Sequence, residues 1–124
     1  LLLSDIPADY TLIVFWASWC SHCGQVLPEI KDLYNRYNRS NLEVLAISLD
    51  QNRAEWEAVL KAGGYNWINH SELIGWDCSI AYDYGIRATP TLILVDRNRT
   101  VVAKPRNAIA LEMKLKELGI KPIR

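Results

Sequence analysis

The chain has 124 residues, of which 50% are hydrophobic, and its 14 basic and 14 acidic residues give a formal net charge of zero. That length can bury one well-packed core but not two, so we expect a single domain over residues 1–124. Balanced charge disfavours a nucleic-acid binder, which would carry a basic excess, and no apolar run approaches the length of a membrane span.

The chain begins with Leu1-Leu2-Leu3, without a methionine and without a cleavage-site pattern. Three leucines are far too short for the apolar region of a signal peptide. We therefore expect this domain to be excised from a longer precursor that carried the targeting segment.

The first half of the chain alternates strand-like and helical patterns. The apolar, partly β-branched run from Leu12 to Phe15 predicts a strand covered on both faces. Hydrophobic residues at helical spacing then predict a helix from about Cys20 to Asn38. Val44 to Leu49 is predicted as a second buried strand, and Arg53 to Ala62 as a second helix.

The second half continues this alternation and ends with a hairpin and a helix. Trp67-Ile68 is predicted as a short strand and Ser79 to Tyr84 as a short helix. Thr91 to Val95 and Thr100 to Ala103 are predicted to pair as a hairpin, and a closing amphipathic helix covers Ala108 to Leu118. Strands that alternate with helices before an antiparallel hairpin predict an α/β fold, with a mixed central sheet and helices on both faces.

Cys20 and Cys23 stand where the first strand gives way to the first helix. Two thiols at this spacing can close into a disulfide ring or open into a dithiol. The free N–H groups and the dipole at the start of a helix stabilise a thiolate. The pattern therefore predicts a redox centre that works by thiol–disulfide exchange.

The residues around the cysteines resemble a known family. Residues 15–23 are F-W-A-S-W-C-S-H-C, Pro28 follows within the next predicted helix, and A-T-P-T at residues 88–91 precedes a strand. This combination resembles the thioredoxin-like superfamily. Residues 51–83 are similar to the insert of its extracytoplasmic thiol–disulfide oxidoreductases, such as those of cytochrome c maturation and the thioredoxin-like domains of Bacteroidetes. The resemblance implies a thioredoxin-like fold with an insert before the cis-proline strand, and Leu1 to Ser4 as the remnant of an N-terminal hairpin.

The two cysteines are expected to have different roles. Cys20 is predicted to be the attacking thiol, and Cys23, one turn deeper, the resolving thiol that releases the substrate. Ser21 and His22 are the candidates for tuning the acidity of Cys20. An imidazole that stabilises the Cys20 thiolate also stabilises the reduced form, which makes the protein a stronger oxidant. A solvated His22 with little effect is the alternative.

Three further residues are predicted to bind the substrate. The resemblance implies that Pro90 follows a cis bond to Thr89, packs against the disulfide and leaves the neighbouring backbone free to pair with an extended peptide. Trp19 adjoins Cys20 and could offer an apolar contact surface to a substrate, whereas Trp16 is expected in the core.

Two positions depart from the family pattern. Thioredoxins carry a buried aspartate where this chain has Val14, and the extracytoplasmic branch often carries a glutamate where it has Val26. Both acids would help to deprotonate the resolving thiol, so no proton acceptor for Cys23 can be named. We expect Cys23 to resist ionisation in an apolar pocket, and resolution to be slow at neutral pH.

Two other classes of function remain open. Cys20, Cys23, Cys78 and His70 could in principle form a Cys/His metal site, although the chain has one CxxC pair and no second one. The fold could also serve as a non-catalytic protein-binding module. Cys78 by itself is expected to be a reduced, buried cysteine that acts as a small hydrophobe.

The favoured hypothesis is a protein-disulfide oxidoreductase whose redox group is the Cys20–Cys23 pair, with no metal, flavin or nucleotide cofactor. Its partners would be protein or peptide thiols and disulfides. The resemblance implies a monomer in the bacterial periplasm, anchored to the membrane if the missing N-terminal segment is an anchor. The direction of electron flow is open, and a reductase outside the cytoplasm would need a membrane electron donor.

Overall fold

Five strands form one sheet in the computed structural model, which describes residues 3–124. The strands are β1 (Tyr10–Trp16), β2 (Leu42–Ser48), β3 (Ile68–Ser71), β4 (Thr91–Asp96) and β5 (Val101–Ala103). Their order in the sheet is β3-β2-β1-β4-β5. The pairs β1–β2 and β2–β3 are parallel, whereas β1–β4 and β4–β5 are antiparallel, so the predicted mixed sheet is confirmed.

In the described part of the chain, four helices alternate with these strands in the predicted order. They are α1 (Cys23–Arg36), α2 (Arg53–Gly63), α3 (Ser79–Asp83) and α4 (Ala108–Glu117). A 3-10 turn, Gly75–Asp77, precedes α3. Within residues 3–124, no helix combines the length and the apolar character needed to cross a membrane.

The central strand β1 is covered on both faces, as its uninterrupted apolar run predicts. Successive side chains of a strand point to opposite faces. Leu12 and Val14 accordingly belong to one buried cluster and Ile13 and Phe15 to another, and each of these four side chains is at most 1% exposed.

The handedness of the crossovers decides which helices share a face. The chain steps from β1 to β2 to β3 in one direction across the sheet, so right-handed crossovers place α1 and α2 on the same side. Leu33 of α1 and Trp56 of α2 join the first cluster, together with Leu111 of α4. Cys78 and Ala81, at the start of α3, join the second cluster. The predicted helices on both faces are therefore confirmed.

One predicted boundary is wrong, and one expected segment is described only in part. Helix α1 begins at Cys23 and not at Cys20, because the backbone N–H of Cys20 donates to Ala17 O at 3.1 Å and closes a turn before the helix starts. The segment described in part is the expected hairpin remnant at Leu1 to Ser4. Leu3–Asp5 is a 3-10 turn, and Leu1 and Leu2 lie outside the described residues.

Helix α4 is tied to the end of α1 by a carboxylate. Arg36 donates from two nitrogens to Glu112, at 2.9 Å and 3.2 Å, and the Tyr37 hydroxyl donates to the same carboxylate at 2.8 Å. The hydrogen bond from Arg36, helped by that from Tyr37, lowers the pKa of Glu112 against the opposing effect of its partial burial. Burial and the bond to Glu112 raise the pKa of Tyr37 to about 12.

This link predicts a pH-dependent loss of stability in Glu112→Gln. Because the folded pKa of Glu112 is depressed, its contribution is present above the unfolded value and disappears as the pH falls through the folded value. We expect the variant to lose about 1–2 kcal/mol of unfolding free energy at pH 7 and much less at pH 3. Urea unfolding at both pH values measures this difference. Glu117→Gln on the same helix is the matched control, and equal losses of Glu112→Gln at the two pH values would contradict the assignment.

Candidate active site

One edge of the sheet brings the chemically interesting segments together. The carboxyl ends of parallel strands meet at the same edge, and Trp16 at the end of β1 is paired with Ser48 at the end of β2. Strand β4 runs in the opposite direction and begins there, since Thr91 is paired with Phe15. The loops that follow β1 and β2 and the loop that precedes β4 therefore share this edge, and they carry Cys20, Asp50 and Pro90.

Cys20 and Cys23 form a disulfide, with their Cα atoms 5.3 Å apart. Cys20 is partly buried and touches both apolar clusters, whereas Cys23 is only 1% exposed. The backbone N–H of Cys23, the first residue of α1, donates to Cys20 Sγ at 3.2 Å. The first backbone N–H of the helix thus donates a hydrogen bond to the sulfur of the more exposed cysteine. This arrangement stabilises a thiolate on Cys20 when the disulfide opens.

The two residues between the cysteines are exposed. His22 is the N-cap residue of α1 but makes no side-chain capping hydrogen bond. Ser21 precedes it, and its backbone carbonyl accepts from Gly24 N at 3.1 Å, so the two residues form the turn that joins the cysteines. Their effect on the acidity of Cys20 stays a prediction.

The peptide bond between Thr89 and Pro90 is cis, as the resemblance implies. Both residues are partly buried at the edge of the sheet that carries the disulfide. The Thr91 hydroxyl donates to Ala88 O at 2.7 Å and ties the end of this loop to the first residue of β4. The backbone beside the cis bond is therefore held at the site edge, where an extended peptide could approach it.

Cys23 is enclosed by apolar side chains. Val14 and Val26, the two positions that depart from the family pattern, are 0% and 2% exposed and lie in the same buried cluster as Cys23. The structure therefore places hydrocarbon, rather than a carboxyl group, at both positions.

Asp50 is a buried site residue that sequence reasoning missed. It is 0% exposed, and its carboxylate accepts from the Ser18 backbone N–H through both oxygens at 3.1 Å. The Ser18 hydroxyl and the Ser48 hydroxyl each donate to it at 2.5 Å. These bonds join the loop that carries Trp19 and Cys20 to the end of β2. Ser18 and Asp50 each lie two residues beyond the ends of adjacent parallel strands, a relation that depends on the register of the sheet and that no motif marks in the sequence.

Trp76 is the second residue that was missed. Trp19 is 55% exposed and Trp76 is 47% exposed, which is unusual for side chains of this size. Their ring centroids lie 6.4 Å apart with a tilt of 47°. Trp16 is 1% exposed and belongs to the core, as expected.

Cys78 lies in the core and takes no part in the disulfide. It is 1% exposed and joins the cluster on the α3 face of the sheet. Its thiol donates to Glu72 Oε2 at 3.3 Å, and burial, together with this bond, raises the pKa of Cys78. Across residues 3–124, no group of three or more His, Cys, Asp and Glu side chains is arranged to hold a metal ion, so the structure does not assemble the alternative site that includes His70.

The burial of Cys78 predicts slow alkylation. In the oxidised protein Cys78 is the one free thiol, and both its enclosure and its raised pKa oppose formation of the reactive thiolate. We expect iodoacetamide to modify it at least about tenfold more slowly in the folded protein than in urea at the same pH. Mass spectrometry of timed samples measures both rates. Equal rates in the two states would show that Cys78 is accessible.

The comparisons with known proteins agree on one family. A family model described as thioredoxin-like matches residues 8–101. No curated protein sequence is similar enough to the chain to be matched with it. Among solved structures, a thiol-disulfide oxidoreductase from Bacteroides fragilis NCTC 9343 is 33% identical, with a TM-score of 0.76 over 89% of this chain and 81% of that one.

Two further structures support the same fold. A protein from Chlorobium tepidum assigned as thiol:disulfide interchange protein DsbE is 25% identical, with a TM-score of 0.78 over 94% of this chain and 83% of that one. The thioredoxin domain of a thiol-disulfide oxidoreductase from Bacteroides vulgatus is 23% identical, with a TM-score of 0.84 over 94% of this chain and 83% of that one. At this identity the likeness concerns the fold alone.

Proposed function

Because the chain belongs to the thioredoxin-like family, we propose that it is a thiol–disulfide oxidoreductase that exchanges disulfides with protein substrates. The observation that carries the proposal is the Cys20–Cys23 disulfide. Cys20, the partly exposed cysteine, accepts a hydrogen bond at its sulfur from the backbone N–H of Cys23 at the start of α1. A similar structure from Bacteroides fragilis bears the same activity in its name. A non-catalytic binding module would have no need of this pair.

In the reductive direction, the Cys20 thiolate attacks one sulfur of a substrate disulfide and forms a new S–S bond with it. The other substrate sulfur leaves as a thiolate and takes up a proton from water. Cys23 then loses its proton and attacks Cys20 Sγ, which closes the Cys20–Cys23 disulfide and expels the remaining substrate sulfur as a thiolate. Two electrons pass to the substrate, and the reverse sequence oxidises a substrate dithiol.

The remaining site residues fit supporting roles in this exchange. The backbone beside Thr89 and Pro90 pairs with an extended substrate, and Trp19 contacts it next to Cys20. Ser21 and His22 tune the acidity of Cys20, and a thiolate stabilised by His22 raises the reduction potential. Support for these roles comes from the position of all five residues at one edge of the sheet.

The apolar surroundings of Cys23 affect the second step of the exchange, in which Cys23 loses its proton and attacks Cys20. Val14 and Val26 lie in its cluster, so its proton leaves without help from either position. We propose that resolution is slow at neutral pH and accelerates as the pH rises. The decay of a preformed Cys20 mixed disulfide, followed from pH 6 to 9, tests this step, and a flat profile would contradict it.

The proposal extends to location and partners as the family resemblance suggests. We place the domain outside the cytoplasm as a monomer whose partners are protein or peptide thiols and disulfides. As a reductase in that compartment it would draw electrons from a membrane donor, whereas as an oxidase or isomerase it would not.

Reduction of insulin by dithiothreitol tests the proposed activity. We expect catalytic amounts of the protein to accelerate insulin precipitation, and a variant with both Cys20→Ser and Cys23→Ser to leave the rate at background. The reduction potential of the pair, measured by equilibrium with glutathione and tryptophan fluorescence, is expected above the value of about −270 mV typical of thioredoxin. A wild-type rate equal to that of the double variant would favour the non-catalytic alternative.

A further inference from the structure

The exposed tryptophans at the site come from two distant parts of the chain. Trp19 immediately precedes Cys20, and Trp76 belongs to the 3-10 turn that precedes α3. Their rings are in contact, yet about half of each side chain remains exposed to solvent. Exposed aromatic surface of this size beside a reactive sulfur is costly in water and favours contact with a partner.

Two consecutive residues, Asp50 and Gln51, lie against the segments that carry the two tryptophans. Asp50 accepts from the backbone of Ser18, the residue before Trp19. Gln51 lies against Gly75, the residue before Trp76, and a Cβ on Gly75 would come within 3.0 Å of its side-chain nitrogen. Gly75 also has a φ of +63°, a conformation that favours glycine. The contacts of Ser18 and Gly75 therefore fix the backbone positions next to both tryptophans, and the two rings meet because of the fold.

The segment that precedes the Gly75–Asp77 turn is bonded to the end of β2. The Ser71 hydroxyl donates to Ser48 O at 3.0 Å, and it also accepts from the backbone N–H of Leu73 at 3.2 Å. Ser48 in turn donates to Asp50. The segment that leads to Trp76 and the loop that leads to Trp19 are thus anchored to the carboxyl end of β2.

We propose that Trp19 and Trp76 form an aromatic platform that receives an apolar side chain adjacent to the reacting cysteine of an extended protein substrate. The inference rests on the proposed function and adds Trp76 as a residue that determines specificity. The platform adjoins Cys20 in the chain, so the residues of a substrate that flank its cysteine are the ones that can reach it. An aliphatic or aromatic side chain gains by covering ring surface that water otherwise contacts, whereas a small polar side chain does not.

The test uses two disulfide-containing peptides that differ only at the residue next to the cysteine, which is leucine in one and serine in the other. For Trp76→Ala we expect kcat/KM for the leucine peptide to fall about tenfold, equivalent to about 1.4 kcal/mol. The serine peptide should change by less than about twofold. Trp76→Phe keeps an aromatic face and should recover most of the loss.

Two controls distinguish a failure of the proposed platform from a failure of the proposed oxidoreductase activity. Bis(2-hydroxyethyl) disulfide reports attack by Cys20 without a flanking side chain, and Trp76→Ala should leave its rate unchanged. Tyr82→Ala removes a ring that is 84% exposed on neighbouring α3 and should not affect the leucine peptide. If Trp76→Ala slowed all three substrates equally, or spared the leucine peptide, the platform would be excluded. A wild-type protein inactive on all three would overturn the proposed function itself.

Discussion

Replacement of Cys23, the proposed resolving thiol, by serine is expected to convert the protein into a trap for its substrates. Cys20 is the more exposed cysteine and can still attack, but the thiol of Cys23, its disulfide partner, is no longer present to attack the mixed disulfide. We expect turnover with insulin to fall by at least about 100-fold and covalent complexes through Cys20 to accumulate. Non-reducing electrophoresis followed by mass spectrometry measures the complexes and identifies the cysteine that is linked.

The opposite variant is the decisive control. Cys20→Ser leaves Cys23, which is 1% exposed among apolar side chains and should form few complexes with a folded protein. Cys78→Ser is the matched change of a third cysteine and should leave turnover unchanged, because Cys78 lies in the core under α3. If Cys20→Ser formed complexes as readily as Cys23→Ser, the roles of the two thiols would be reversed.

The parts of this fold that the sequence predicts are those set by local pattern. Four continuous apolar residues, Leu12 to Phe15, indicate the central strand, since a strand covered on both faces buries every side chain of such a run. Helix α2 follows from its own spacing and ends at Gly63, and the C-cap residue Gly64 has the left-handed conformation expected of a glycine after a helix. The motif around Cys20 and Cys23 marks the redox pair because it places both thiols at the junction of strand and helix.

The parts that the sequence does not predict depend on residues brought together by the sheet. Asp50 carries no motif, and its partner Ser18 lies 32 positions away. Their contact requires the parallel register of β1 and β2 and a turn of suitable length after each strand. Trp76 appears in the sequence as one aromatic residue in an insert, and only the folded position of the Gly75–Asp77 turn brings it to Trp19.

Loss of the Asp50 carboxylate is expected to cause the largest change in stability. In Asp50→Ala, the Ser18 N–H and the hydroxyls of Ser18 and Ser48 lose their acceptor, at a place where Ser48 is buried and Ser18 is partly buried. Each unsatisfied buried donor costs about 1–3 kcal/mol, although a hydroxyl can rotate towards another acceptor. We therefore expect a loss of about 3 kcal/mol of unfolding free energy, measured by urea unfolding of the oxidised protein at pH 7.

The same network allows the loss to be divided among its members. Ser18→Ala removes one hydroxyl donor and keeps the backbone bond to Asp50, so it should cost about 1 kcal/mol. Asp32→Ala is the matched control, because its side chain is 82% exposed and its removal should cost less than about 0.5 kcal/mol. If Asp50→Ala is too unstable to purify, Ser18→Ala and Ser48→Ala still test the network one donor at a time. Losses in both serine variants no larger than that of Asp32→Ala would show that the carboxylate does not anchor the loop before Cys20.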